Sequence, residues 1–184
     1  MMLLQPQNEV EYVPNCSDIE WVNLSREISC GELSVLTINM RSLAGKFPEL
    51  VSHLKLLNRK FSIVILVETW LSDATDIAFE IEGYNSFALN RTGRRGGGIK
   101  IYTDSCMHSS MSKDLSITDD VCEVLFVKTH VKSVCDIMIG GFYRPQNQSL
   151  SQFCTKLSSI LSAFNRTKSI ISDDFNMNIL DQNY

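Results

Sequence analysis

Residues 61–70 read FSIVILVETW. The run is apolar through Val67 with no alternation, which is the pattern of a strand buried on both faces. It delivers a carboxylate, Glu68, at its end. An acid placed after so long a buried run is expensive unless it is paired or reaches a site. Working outward from this strand decides the fold.

Upstream, LSVLTIN at 33–39 is rich in β-branched and aliphatic residues and reads as a second strand, ending at Asn39. Between the two lies SLAGKFPELVSHLKLLNRK. There Leu43, Phe47, Leu50, Val51, Leu54 and Leu57 recur at spacings of three and four, which predicts an amphipathic helix. Pro48 falls in its first turn, where a missing N–H costs little. Downstream, RTGRRGGGIKIYTD predicts a glycine-rich turn feeding a strand near 98–103. VCEVLFVKTHV and CDIMIGGFYRP predict two more strands joined by a turn near 132–133. Leu150, Phe153, Leu157, Ile160, Leu161 and Phe164 mark a second amphipathic helix, and KSIIS a last strand. Strands with intervening helices and a hairpin predict an α/β domain with mixed sheets. Residues 1–30 are polar and weakly patterned and read as a lead-in, with a short helix around 18–28; the domain proper runs over 31–184.

Composition narrows the function classes. The chain has 184 residues, 44% hydrophobic and 21% charged, with a net charge of −4. This is a globular balance, and it is not the strongly basic one of a protein that holds nucleic acid by charge alone. None of the six cysteines forms a C-x-x-C pair, so a zinc site is not indicated. Neither a signal-peptide pattern nor an apolar run of membrane-spanning length is present, which predicts an intracellular protein, nuclear or cytoplasmic, that does not enter a membrane.

Several strands end in polar residues of one kind: Asn39, Glu68, Tyr143 with Arg144, and Asp174 with Asn176. Strand ends in α/β folds gather at one rim, where ligands bind. Oxygen ligands and phosphate donors at a rim suit a hard cation such as Mg²⁺ acting on a phosphate. Each residue also has a plainer reading. Asn39 suits the N-cap of the following helix, Glu68 a rim salt bridge, and Asp174 and Asn176 a turn. Tyr143 and Arg144 before Pro145 suit an ordinary strand exit, and Gly96–Gly98 with Arg94 and Arg95 a tight turn with a solvated charge pair rather than a phosphate cradle.

The order of the blocks adds to this. TINMRSLAGKFPEL, IVILVETWLSD, IEGYNSFALNRTGRRGGGIKIY, GGFYRPQNQSLSQF and IISDDFNMNILD together resemble the endonuclease domain of non-LTR retrotransposons, within the DNase-I-like endonuclease/exonuclease/phosphatase superfamily. The resemblance runs from about Leu33 to Asp181. It implies a four-layer sandwich of two mixed β-sheets flanked by helices, with the second sheet incomplete here. It also implies Mg²⁺ (or Mn²⁺) held by Glu68 with help from Asn39, and Tyr143 beside the phosphate. Asp174 and Asn176 would position the attacking water and the phosphoryl oxygen. DNA would be the partner of the complete domain, and a reverse transcriptase would lie in the parent element.

Two departures bear on activity. Asp173 stands where the family's last block has Gly, which is expected to weaken the site. The family's closing Ser-Asp-His has no counterpart, and His53, His108 and His130 do not stand in its context. The chain is therefore expected to be a C-terminally truncated domain, inactive by itself. The alternatives are a catalytically dead nucleic-acid-binding or interaction module of the same fold, and a phosphatase of the same superfamily.

Overall fold

The computed structural model describes residues 2–4, 10–12, 33–57, 60–93, 96–131, 135–145, 148–162 and 168–174. In chain order the elements are β1 (Met2–Leu4), β2 (Val10–Tyr12), β3 (Ser34–Asn39), α1 (Phe47–Leu56), β4 (Ile63–Val67), a 3₁₀ turn (Asp76–Ala78), β5 (Tyr84–Leu89) and β6 (Ile99–Asp104). There follow β7 (His108–Met111), β8 (Ile117–Thr118), β9 (Glu123–Val131), β10 (Cys135–Tyr143), α2 (Leu150–Ser162) and β11 (Lys168–Asp174).

They form two mixed sheets. The first has the order β2-β1-β3-β4-β6-β5, and the second β11-β10-β9-β7 with β8 also on β9. The β3–β4 and β10–β11 pairs are parallel, and the rest are antiparallel.

Period-two alternation in each strand builds three apolar layers. On β4, Ile63, Ile65 and Val67 face the second sheet, where they meet Leu125, Val127, Ile137, Ile139 and Ile170. Val64 and Leu66 face the other way, toward Leu50 of α1. All five β4 residues are buried, each worth about 1.5–3 kcal/mol. On the far side of the second sheet, Val124, Phe126 and Phe142 pack with Phe153 and Ile160 of α2. The result is the helix–sheet–sheet–helix sandwich that the sequence resemblance implies.

The sheets approach closely where β10 has no side chain. A Cβ on Gly141 would stand 2.9 Å from Ile99 Cγ2 and 3.0 Å from Ile65 Cγ2. Across the sandwich, Thr37 donates to Ser172 at 2.7 Å.

Local starts differ from expectation in places. Helix α1 begins at Phe47 with Lys46 at its N-cap and no side-chain cap, so Leu43 lies in the preceding turn. Part of the lead-in, β1 and β2, joins the first sheet beside β3. The helix expected over 18–28 lies outside the described residues, as does the turn at 132–133.

Candidate functional site

Sheet pairing brings the ends of β3 and β4 together: Asn39 is in register with Val67, and Met40 N–H donates to Val67 O at 2.9 Å. The zipper continues past the strands. Ser42 N–H donates to Glu68 O and Leu43 N–H to Thr69 O, both at 2.9 Å. This continuation forces the backbone into the left-handed region at Arg41 (φ 44°), Ser42 (86°), Glu68 (53°) and Trp70 (57°). Among the described residues these are the non-glycine positions with positive φ, and all four stand at one rim. A non-glycine residue there costs about 1–2 kcal/mol, and such strain concentrates at functional sites.

The strain presents Glu68 to Asn39. Asn39 Nδ2 donates to Glu68 Oε1 at 2.9 Å, and Asn39 Oδ1 accepts the Arg41 N–H at 3.1 Å. The amide is thus held from both ends and does not cap α1. Glu68 is only 9% exposed, and its partner is Asn39 rather than a rim cation.

A buried ion pair ties this turn to the second sheet. Trp70 N–H donates to Gly97 O at 2.9 Å and Thr69 N–H to Gly98 O at 3.2 Å. Gly98 N–H in turn donates to Glu123, which is fully buried and paired with Arg91. A Cβ on Gly97 would collide with both Glu123 carboxylate oxygens, so the glycines at 97 and 98, with φ 71° and 86°, are required by close approach. The run is therefore a buried joint, and Gly98 N–H is occupied by a carboxylate instead of open to a phosphate. Arg94 and Arg95 lie outside the described residues.

Glu123 stands in register with Tyr143, and Tyr143 with Asp174. The Arg91 guanidinium lies 6.0 Å from the centre of the Tyr143 ring. Tyr143 is buried, and the neighbouring Arg144 donates to Gln148 O at 2.7 Å. Asn39, Glu68, Tyr143 and the backbone of Asp174 thus stand at one rim of the sandwich. Asn176 lies outside the described residues. Among the described residues no group of three or more His, Cys, Asp or Glu side chains stands together as a metal cage.

Sequence reasoning passed over Arg91 and Glu123. Glu123 carried the same signal as Glu68, a carboxylate abutting a buried run, here VLFV. The histidines lie apart in the main. His130 Nδ1 is 3.0 Å from Asp136 Oδ1, near the opposite end of β9 from Glu123 and about 23 Å along the strand. His53 lines a cavity of about 340 Å³ that Asn39, Lys46 and Glu49 also line. No helix among the described residues is long and apolar enough to cross a membrane.

No family model and no curated protein matches the chain. Solved structures do. The endonuclease domain of TRAS1, a telomere-specific non-LTR retrotransposon, superposes with a TM-score of 0.57 at 12% identity, over 79% of this chain and 60% of that one. An AP endonuclease from Archaeoglobus fulgidus gives 0.56 at 17%, over 77% and 56%. ANGEL2, a 2′,3′-cyclic phosphatase, gives 0.55 at 16%, over 80% and 53%. The chain spans between half and two thirds of the length of each. At such identities the likeness is one of fold, and the fold of this chain is the DNase-I-like sandwich of the endonuclease/exonuclease/phosphatase proteins.

Proposed function

We propose that this chain is the core of a metal-dependent phosphodiesterase that hydrolyses DNA, of the kind retrotransposons carry beside a reverse transcriptase. The observation that carries the reading is the Asn39–Glu68 pair, a carboxylate held at the sheet rim on strained backbone by an amide fixed from both ends.

The donor set fits Mg²⁺ or Mn²⁺. Mg²⁺ keeps several waters and takes one or two carboxylates plus substrate phosphate, so a single oriented carboxylate with an adjacent amide suits it better than a closed cage would. Glu68 would hold the ion, with Asn39 fixing its carboxylate plane. Bound there, the ion supplies charge neutralisation at the phosphoryl oxygen. The Tyr143 phenol is a hydroxyl donor for a phosphate oxygen at the same rim. Asp174, in register with it, would orient the attacking water, and Asn176 would donate to the phosphoryl oxygen. The Glu123–Arg91 pair keeps the turn bearing Glu68 against the strand bearing Tyr143.

The test is Mg²⁺-dependent nicking of supercoiled plasmid by this chain joined to the closing Ser-Asp-His segment of a family domain, with and without Glu68→Gln. The substitution is expected to lower the rate about 100-fold or more. Equal rates would remove the reading. A second reading, a nucleic-acid-binding module without turnover, is favoured by Asp173, which stands where the family's last block has Gly. Plasmid retention with no Mg²⁺-dependent nicking would select it.

A further inference from the structure

Trp70 stands two residues beyond Glu68 at φ 57°, a region that bulky side chains avoid and that a glycine would occupy at little cost. Its backbone is pinned there by the bond from its N–H to Gly97 O. Gly96 lies beside the ring: a Cβ built on it would be 4.0 Å from the indole Nε1. The neighbours Thr69 and Leu71 are buried at 1% and 6% exposure, whereas Trp70 is 36% exposed. Among the described residues the other exposed large hydrophobics, Leu56, Ile77 and Leu161, sit at the end of α1, in the 3₁₀ turn and on α2. Trp70 alone of these belongs to the strained rim.

We infer that Trp70 is a substrate-contacting residue whose indole stacks on an unpaired nucleobase of the strand held at Glu68. The inference rests on the phosphodiesterase reading above and names what the site would favour. An aromatic face matches the π-face of any base, so it gives grip on nucleic acid without demanding sequence. A small phosphate ester or an inositol phosphate offers no such ring. The strained backbone fixes the indole relative to Glu68, so a stacked base would set the position of the phosphate beside it.

The experiment uses the full chain in a Trp21→Phe background, so that Trp70 is the sole indole. EDTA blocks turnover. A labelled single-stranded DNA oligonucleotide is compared with a fully abasic one of equal length. DNA is expected to quench the indole emission and the abasic strand to leave it unchanged. Trp70→Ala should weaken DNA binding roughly five- to hundred-fold, and Trp70→Phe by no more than about threefold because a ring is retained. Both variants should bind the abasic strand like the parent. Unchanged DNA affinity in Trp70→Ala, or an equal loss on the abasic strand, overturns the inference alone. Failure of the parent to bind either polymer overturns it together with the phosphodiesterase reading. Should Trp70→Ala not fold, the quench and the Trp70→Phe affinity still decide.

Discussion

Gly98 gives its backbone N–H to the buried carboxylate of Glu123, and through that bond the two sheets share one rim. Glu123 begins β9 of the second sheet, whereas its ion partner Arg91 follows β5 of the first. Removing one member of a buried pair strands the other charge away from water. Glu123→Leu is therefore expected to destabilise the chain by about 3–5 kcal/mol, read by urea denaturation. The double variant Glu123→Leu/Arg91→Met should recover the part due to the stranded guanidinium, leaving about 1–3 kcal/mol for the Gly98 N–H that loses its acceptor. A single variant within 1 kcal/mol of wild type, on the order of an exposed pair, would mean that the pair is not desolvated.

Glycines at different places should respond oppositely. Gly141→Ala drives a methyl into Ile99 and Ile65, between the sheets, and should cost about 1–3 kcal/mol through overpacking. Gly45 has nothing within 4 Å of a built Cβ and does not have a positive φ. Gly45→Ala should be neutral or stabilising by up to about 1 kcal/mol, because it restricts the unfolded chain. Thermal melts of the two variants side by side check the contrast, and the opposite ranking would place the sheet contact elsewhere.

Asn39 should matter through Glu68. On the phosphodiesterase reading, and in the same joined domain as Glu68→Gln, Asn39→Ala leaves the carboxylate unoriented and is expected to lower Mg²⁺-dependent nicking about 10–100-fold, the usual effect of losing a partner that orients a metal ligand. Added to Glu68→Gln it should cost little more, since the two act as a unit. Fully multiplicative losses in the double variant would mean that Asn39 acts on the substrate by its own contact.

Acid stability should report on Asp104, far from the rim. Burial alone would raise its carboxyl, but the Cys106 N–H and the Lys60 ammonium, each at 2.9 Å, outweigh burial and hold it below the ordinary carboxylate range. A carboxylate depressed on folding contributes stability that is present above the unfolded value, near pH 4, and is lost as pH falls through the lower folded value. Asp104→Asn should thus be less stable than wild type at neutral pH, with the gap closing below about pH 4. A gap that persists unchanged to pH 2 would assign it to packing instead.

Much of this fold was legible because burial writes itself into sequence as period. The unbroken run of β4 and the three-and-four spacing of α1 and α2 left no other placement. Strand β5 was missed because YNSFAL is a half-buried edge, too polar to stand out. Lys100 was missed for a different reason. It is fully buried between Ile99 and Ile101, where its ammonium meets Asp76 at 2.7 Å and Glu80 at 3.2 Å from a distant turn. No local pattern encodes a partner some twenty residues away. The proposed site reads as a list of strand-end residues, of which Asn39, Glu68 and Tyr143 stand at one rim and Asn176 lies outside the described residues. Its strain, and the Arg91–Glu123 pair beneath it, depend on contacts between sheets.

The two sheets also divide the chain in sequence. Every strand of the first lies within residues 2–104, and every strand of the second within 108–174. A ribosome adding about 5–20 residues per second completes the first sheet and its helix several seconds before β11 emerges. Until β9 and β10 follow, the face formed by Val35, Ile63, Ile65, Val67, Ile99 and Ile101 has no lid. The nascent first half is thus the form most in need of a chaperone. The hydrogen bond from Thr37 of β3 to Ser172 of β11 ties the two halves together once both have been made.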